Sequence, residues 1–168
     1  PDKLLRMVEG FFSAPDGPGA LPPAARAQRH TLPGLVLPHI DLRVGGATYA
    51  HGYKALLEES QADLVVVLGV AHQGPSDGLF SVSTKDFATP LGTVHVAHEI
   101  CERLQKVSDV EAPVAEYAHR GEHSVEFQAV ILKAVKAKRP SAWLNLLPPV
   151  GQFQNGHKGK GWLVLSLE

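Results

Sequence analysis

The run Leu64-Val65-Val66-Val67-Leu68 is apolar throughout, mostly β-branched, and bounded by Asp63 and Gly69. A run of this length and composition fits a strand covered on both faces, as in parallel sheets, better than a one-sided antiparallel strand. Just before it, Tyr49, Tyr53, Leu56 and Leu57 share one face of the segment Tyr49 to Gln61, with Lys54, Glu58 and Glu59 elsewhere. That spacing predicts an amphipathic helix. Upstream again, Leu35-Val36-Leu37 ends at Pro38 and is consistent with another buried strand. Strand, helix, strand implies a parallel pair joined by a right-handed crossover, so the chain is expected to be α/β. Chemistry on such sheets gathers at the carboxyl ends of the strands. Here those ends deliver His39, Ile40 and Asp41 in one case and Val70, Ala71 and His72 in the other.

The remaining segments continue the alternation. Ser13 to Ala27, rich in Pro, Gly and Ala, reads as a surface loop. After the turn-rich stretch Gln73 to Gly78, Leu79 to Ser83 alternates like a half-buried strand, and Thr89 to Thr93 turns the chain back. Val94 to Val107 has Val94, Ala97, Ile100, Cys101 and Leu104 at helical spacing. Glu122 to Arg139 carries Val125, Ala129, Leu132 and Val135 as one apolar seam, stopped by Pro140. Ala142 to Leu147 reads as a strand, and Gly151 to Gly161 has no periodicity before a last apolar run, Trp162 to Leu167, that reads as a loop and short strand.

At 168 residues a single domain over 1–168 is the expectation. The formal net charge of -1 supplies no field that would hold the chain on nucleic acid or an anionic membrane. No stretch reaches the roughly 18 to 20 apolar residues of a membrane span, and the N-terminal residues given lack a basic segment followed by an apolar one, so a cytoplasmic protein is expected. The start at Pro1 suggests that a start codon or leading segment is missing. A single cysteine, Cys101, excludes an internal disulfide and any multi-cysteine metal site, and its place on the apolar side of a helix suggests a buried, inert thiol.

Histidine is the unusual component, with nine copies. His39 and His72 both follow predicted strand ends, and in a parallel sheet such ends share one edge, where two imidazoles can converge on a metal ion. Asp41, two residues beyond His39, can orient it or share the ligation. A third group, Glu122-His123-Ser124-Val125-Glu126 after His119-Arg120-Gly121, opens a helix. A helix N-terminus favours carboxylates and anionic ligands, and the plainer reading is that Glu122 and Ser124 cap and charge the first turn. His95 and His98 share a predicted helix with Glu99 and Glu102 and read as a solvated face; Lys85 and Asp86 read as solvated loop residues.

Four segments taken together resemble the successive signatures of the Memo family, the protein B component of AmmeMemoRadiSam systems, related to class III extradiol dioxygenases. They are Pro38-His39-Ile40-Asp41 with Gly45-Gly46 and Tyr49-Ala50, then Leu68-Gly69-Val70-Ala71-His72, then Phe87-Ala88-Thr89-Pro90-Leu91-Gly92, and finally Glu122-His123-Ser124-Val125-Glu126. The resemblance covers about Pro38 to Pro148. It implies an α/β three-layer sandwich with a mostly parallel central sheet, like the extradiol dioxygenase/Memo fold. It implies iron or copper held by His39 and His72, with Asp41 as a further candidate ligand, and His123 with Glu122 as an acid–base pair beside the metal. Its implied partners are a radical-SAM protein and an AMME-type protein, and its implied activity is metal-dependent oxidoreductase or dioxygenase-like chemistry. The chain departs from the family where many members carry Gly-Pro-Ser-His-His, having Gly69-Val70-Ala71-His72-Gln73. Similarity fades after Pro148, where members continue with further strands and another ligand position, so a truncated or divergent C-terminus is expected. The alternatives are a non-catalytic component binding a small molecule or peptide, and an inactive remnant.

Overall fold

The computed structural model describes residues 1–21, 32–60, 62, 64–72, 80–106, 114–137 and 162–167. The chain divides into two compact units, Pro1–Ala62 with Val130–His157, and Asp63–Ala129 with Lys158–Glu168.

The first unit is built on two helices, α1 (Asp2–Ser13) and α2 (Leu42–Glu59). α1 buries Val8 and Phe12. α2 starts well before Tyr49 because Asp41 caps it. The Asp41 carboxylate accepts the Arg43 N–H at 2.8 Å and also receives the Arg43 guanidinium at 2.7 Å. Gly46 lies where any Cβ would run into the Phe11 ring, so the absence of a side chain lets α1 and α2 pack closely. The predicted face is buried: Tyr49, Tyr53 and Leu57 are all at most 4% exposed. Tyr49 donates its hydroxyl to the Ile40 carbonyl at 3.1 Å, which ties the segment before α2 to the helix, and burial pushes its hydroxyl up to about 12.

Leu35-Val36-Leu37 is not a strand. The segment joins no ladder among the described residues, and Val36 is fully exposed. Pro33 and Pro38 bracket it and remove backbone donors at both ends, which disfavours a place inside a ladder. Leu37 instead reaches over α2, into the space that a Cβ on Gly52 would need. The expected crossover into the next strand is therefore absent at this point of the chain.

The second unit holds a mixed sheet of β1 (Val65–Val70), β2 (Phe80–Val82) and β5 (Trp162–Leu167), in the order β1-β5-β2. β1 and β5 are parallel, Val65 opposite Trp162, and β2 runs antiparallel to β5. The last apolar run is thus a strand, as its composition suggests. β3 (Phe87–Thr89) and β4 (Gly92–Val94) form an antiparallel hairpin around the predicted turn, with Gly92 at φ 109, a conformation that suits glycine. Val94 pairs with Phe87 in that hairpin, so α3 (His98–Gln105) is shorter than its apolar spacing suggests. Val82, Val96 and Cys101 form the core here, with Leu64, Phe87, Ile100 and Leu104 packed around them. A short α4 (Glu116–Arg120) follows. Glu116 fastens it to the chain after β2, accepting from the Ser83 hydroxyl at 2.9 Å and from the Thr84 N–H at 2.8 Å. α5 (His123–Ala137), the long predicted helix, lies in this unit as far as Ala129 and belongs to the first from Val130; Val125, Ala129, Leu132 and Val135 are all buried, as are Val130, Ile131 and Ala134, so the buried face is wider than one seam.

β1 departs from the expectation of burial on both faces. Val66, Leu68 and Val70 are 50%, 57% and 44% exposed, while Gly69 is buried. The covered face meets the first turn of α5 closely enough that a Cβ on Gly69 would stand 2.5 Å from Val125 Cγ2 and 2.6 Å from Ser124 Oγ. The chain is mixed α/β.

Gly69→Ala is expected to destabilise the protein by about 1–3 kcal/mol through overpacking. Gly10→Ala, in the interior of α1 with no atom within 4 Å of the added Cβ, is expected to be neutral or stabilising by up to about 1 kcal/mol. Urea unfolding of both variants checks the pair; equal midpoints would overturn the close approach at Gly69.

Candidate functional site

Glu122 immediately precedes α5 and is 1% exposed. A buried carboxylate is costly unless donors surround it. Four contacts do so. The His72 N–H donates to Oε2 at 2.9 Å, the His72 ring Nδ1 lies 2.9 Å from Oε1, and the Ser124 N–H donates to Oε1 at 2.8 Å. His123 Nδ1 stands 3.9 Å from Oε1 as a looser ionic neighbour. Burial pushes the carboxyl up, but the His72 and Ser124 hydrogen bonds outweigh it and bring Glu122 down to about 2. Ser124 completes the joint. Its hydroxyl accepts the Val70 N–H at 2.9 Å and donates to the Val70 carbonyl at 3.3 Å, so the end of β1 is held against the start of α5 from both backbone groups.

An ionised carboxylate only accepts, so the proton between Glu122 and His72 belongs to His72 Nδ1. The ring is thereby held by its Nδ1. A carboxylate behind a histidine is the usual way in which a metal-ligating imidazole is oriented and made more basic. The His123 ring lies beside that of His72, centroids 4.4 Å apart and planes inclined by 32°, and its far side meets Phe127 edge-on at 5.6 Å. Two imidazoles at this separation fit a donor set for iron, copper or zinc, for which nitrogen ligands suffice without thiolates.

Three of the sequence-derived candidates, His72, Glu122 and His123, are therefore gathered in the second unit. His39 and Asp41 belong to the first. His39 is half-buried after Pro38, and Asp41 is exposed with its carboxyl held at about 2 by hydrogen bonds from the Arg43 side chain and backbone. Glu122 combines both readings of its segment: it caps α5 through Ser124 and orients His72. The role of Ser124 in gripping β1 was not visible, because the cap and the strand end are separated by 54 positions in sequence. Asp86, read as a solvated loop residue, accepts the Val96 N–H at 2.9 Å and pairs with His95 at 2.7 Å, with His98 3.7 Å away. Cys101 is fully buried, in accord with an inert thiol. His157 and the Ala142 to Leu147 segment lie outside the described residues.

Fold and site together define a mixed α/β protein in which a strand end and a helix start present two histidines around one buried carboxylate. The chain belongs to the Memo-like protein family, whose sequence model matches residues 1–155. It is similar to a MEMO1 family protein of Metallosphaera sedula, 32% identical over 131 residues that cover 78% of this chain and 46% of the relative. A MEMO1 family protein of Methanopyrus kandleri is 35% identical over 136 residues, 80% of this chain and 47% of its own. One from Aquifex aeolicus is 42% identical over 100 residues, 60% of this chain and 26% of its own. The chain thus spans about half the length, or less, of these curated relatives. Among the described residues no helix is long and apolar enough to cross a membrane.

Because the Glu122 carboxyl is depressed on folding, its contribution to stability is fully present above its ordinary value of 4.5 and is lost as pH falls toward about 2. In metal-free protein that contribution is on the order of 3 kcal/mol at neutral pH. The deficit of Glu122→Gln relative to the unsubstituted chain is therefore expected to shrink as pH is lowered from 4.5 to about 2. Urea titrations at a series of pH values read it, and a deficit constant across that range would contradict the assignment.

Proposed function

We propose that this chain carries a metal centre of the Memo type, with iron or copper held by histidines, and that the centre serves a redox reaction resembling that of the extradiol dioxygenases. The observation that supports it most is the Glu122–His72 pair, which fixes one imidazole through its Nδ1 beside a second imidazole. On this reading His72 and His39 are the principal ligands, His39 being assigned from its place in the motif Pro38-His39-Ile40-Asp41. His123 either joins them or, with Glu122 behind it, moves a proton at its ring nitrogen. Asp41 is then a helix cap rather than a ligand, since both its oxygens are engaged by Arg43.

The bound metal would supply Lewis-acid and redox chemistry; the protein's own part is orientation and proton handling. Glu122 holds His72 by its backbone N–H and by its ring, and the imidazole cannot turn away without losing the Nδ1 contacts to both carboxylate oxygens. His123, 3.9 Å from the same carboxylate, is placed to move a proton at its ring nitrogen. The same buried carboxylate thus stands behind both rings. We propose further that the mixed α/β unit is part of a single-domain three-layer sandwich with a mostly parallel central sheet. We also propose that the protein is cytoplasmic and that its partners are a radical-SAM protein and an AMME-type protein. These rest on family likeness.

Metal analysis of protein purified without added metal, alongside His39→Ala and His72→Ala, tests the reading. Iron or copper near one equivalent per chain is expected, with loss in both variants while the far-ultraviolet circular dichroism is retained. Absence of metal from all three samples even after reconstitution would overturn it.

A further inference from the structure

His72 stands two residues beyond Val70, the last residue of β1, and so outside the ladder that fixes the strand. A side chain there inherits no accuracy from the sheet unless something holds the strand end, and a metal centre needs its ligands held to about 0.5 Å. Glu122 holds His72 itself, by the backbone N–H and by the ring. The carboxylate serves as an anchor only if it is fixed in turn relative to β1.

Ser124 makes both connections. Its backbone N–H donates to Glu122 Oε1, while its hydroxyl accepts the Val70 N–H at 2.9 Å and donates to the Val70 carbonyl at 3.3 Å. The N–H and C=O of one strand residue point to the same side, where a neighbouring strand would meet them. β1 is an edge strand in the order β1-β5-β2, and at Val70 one hydroxyl meets both groups. The contacts close a ring that runs from Val70 through Ala71 to His72, across to Glu122, and back through Ser124 to Val70. Burial of Ser124 to 4% exposure keeps water from competing freely for its hydroxyl, and Gly69 leaves room for the oxygen by having no Cβ.

We propose that Ser124 is a positioning residue of the candidate metal centre. By gripping both backbone groups of Val70, its hydroxyl sets where the His72 imidazole lies relative to Glu122 and to the His123 ring 4.4 Å away. The consequence for metal affinity rests on the metal-centre reading above; the placing of His72 does not. The role of the hydroxyl is separable from capping. Replacing Ser124 by alanine removes both bonds to Val70 but leaves the backbone N–H on Glu122, so α5 keeps its cap while the strand end is released.

Magnetic resonance of the metal-free full chain, labelled with nitrogen-15 at histidine and held at one neutral pH, gives the first readout. The His72 Nδ1 proton, bonded to Glu122, is expected as a downfield imidazole signal, assigned by its loss in His72→Ala. In Ser124→Ala that signal should shift or broaden into solvent exchange; in Ser124→Thr, which keeps the hydroxyl, it should return. Titration with iron or copper gives the second readout. Ser124→Ala should weaken binding roughly ten- to a hundredfold, the usual effect of losing support behind a ligand, and Ser124→Thr should restore it. Ala129→Gly destabilises α5 from a buried position away from this joint and should leave both readouts at the parental level, which separates positioning from general stability. Should Ser124→Ala not fold, metal-free Ser124→Cys, with longer and weaker contacts, should shift the same signal. A parent chain that takes up no metal overturns the metal centre, while the histidine signal still decides the role of Ser124. A His72 signal unchanged on loss of the hydroxyl, or disturbed equally by Ala129→Gly, overturns the proposal.

Discussion

A single carboxylate, buried where a strand ends and a helix begins, organises the second unit. Placing Glu122 at 1% exposure is tolerable only because backbone donors from both elements point at it. The dependence runs in both directions. Without the charge, the His72 and Ser124 N–H groups lose their acceptor; without the approach of β1 to α5, the charge loses its donors. Gly69 makes that approach sterically possible and Ser124 closes it, so a packing constraint and an electrostatic one are met at the same few residues.

The local elements were largely legible in the sequence because they follow from periodicity. The α5 seam, the strand through Val65 to Val70 and the turn at Pro90 and Leu91 all lie where apolar spacing and turn chemistry place them. What failed was pairing. Leu35 to Leu37 has the composition of a strand, but a ladder needs hydrogen-bond partners that composition does not specify, and the flanking prolines weigh against it. The burial of β1 was overestimated for a related reason: an apolar run does not say whether helices cover one face of a sheet or two.

The site shows the same division. His72, His123 and Glu122 could be named as chemistry-bearing residues, and the structure brings them together. Their relation could not be read, because it depends on which donors satisfy Glu122, and those come from residues about 50 positions apart. Asp86 was likewise indistinct as sequence, and only its partners, the Val96 N–H and the His95 ring, show that it is held in place rather than merely solvated.

The alternation along β1 has a consequence for how His72 is placed. With Leu68 and Val70 pointing away from α5, Gly69 is the one position from Leu68 to Val70 that lets the helix approach on that side. A slip of one residue would bring a branched side chain under Ser124 and turn the strand's faces over. The glycine therefore acts as a notch that indexes the strand against the helix, and His72 is set by its fixed distance along the chain from that notch. Accuracy at the imidazole is inherited from a residue with no side chain at all.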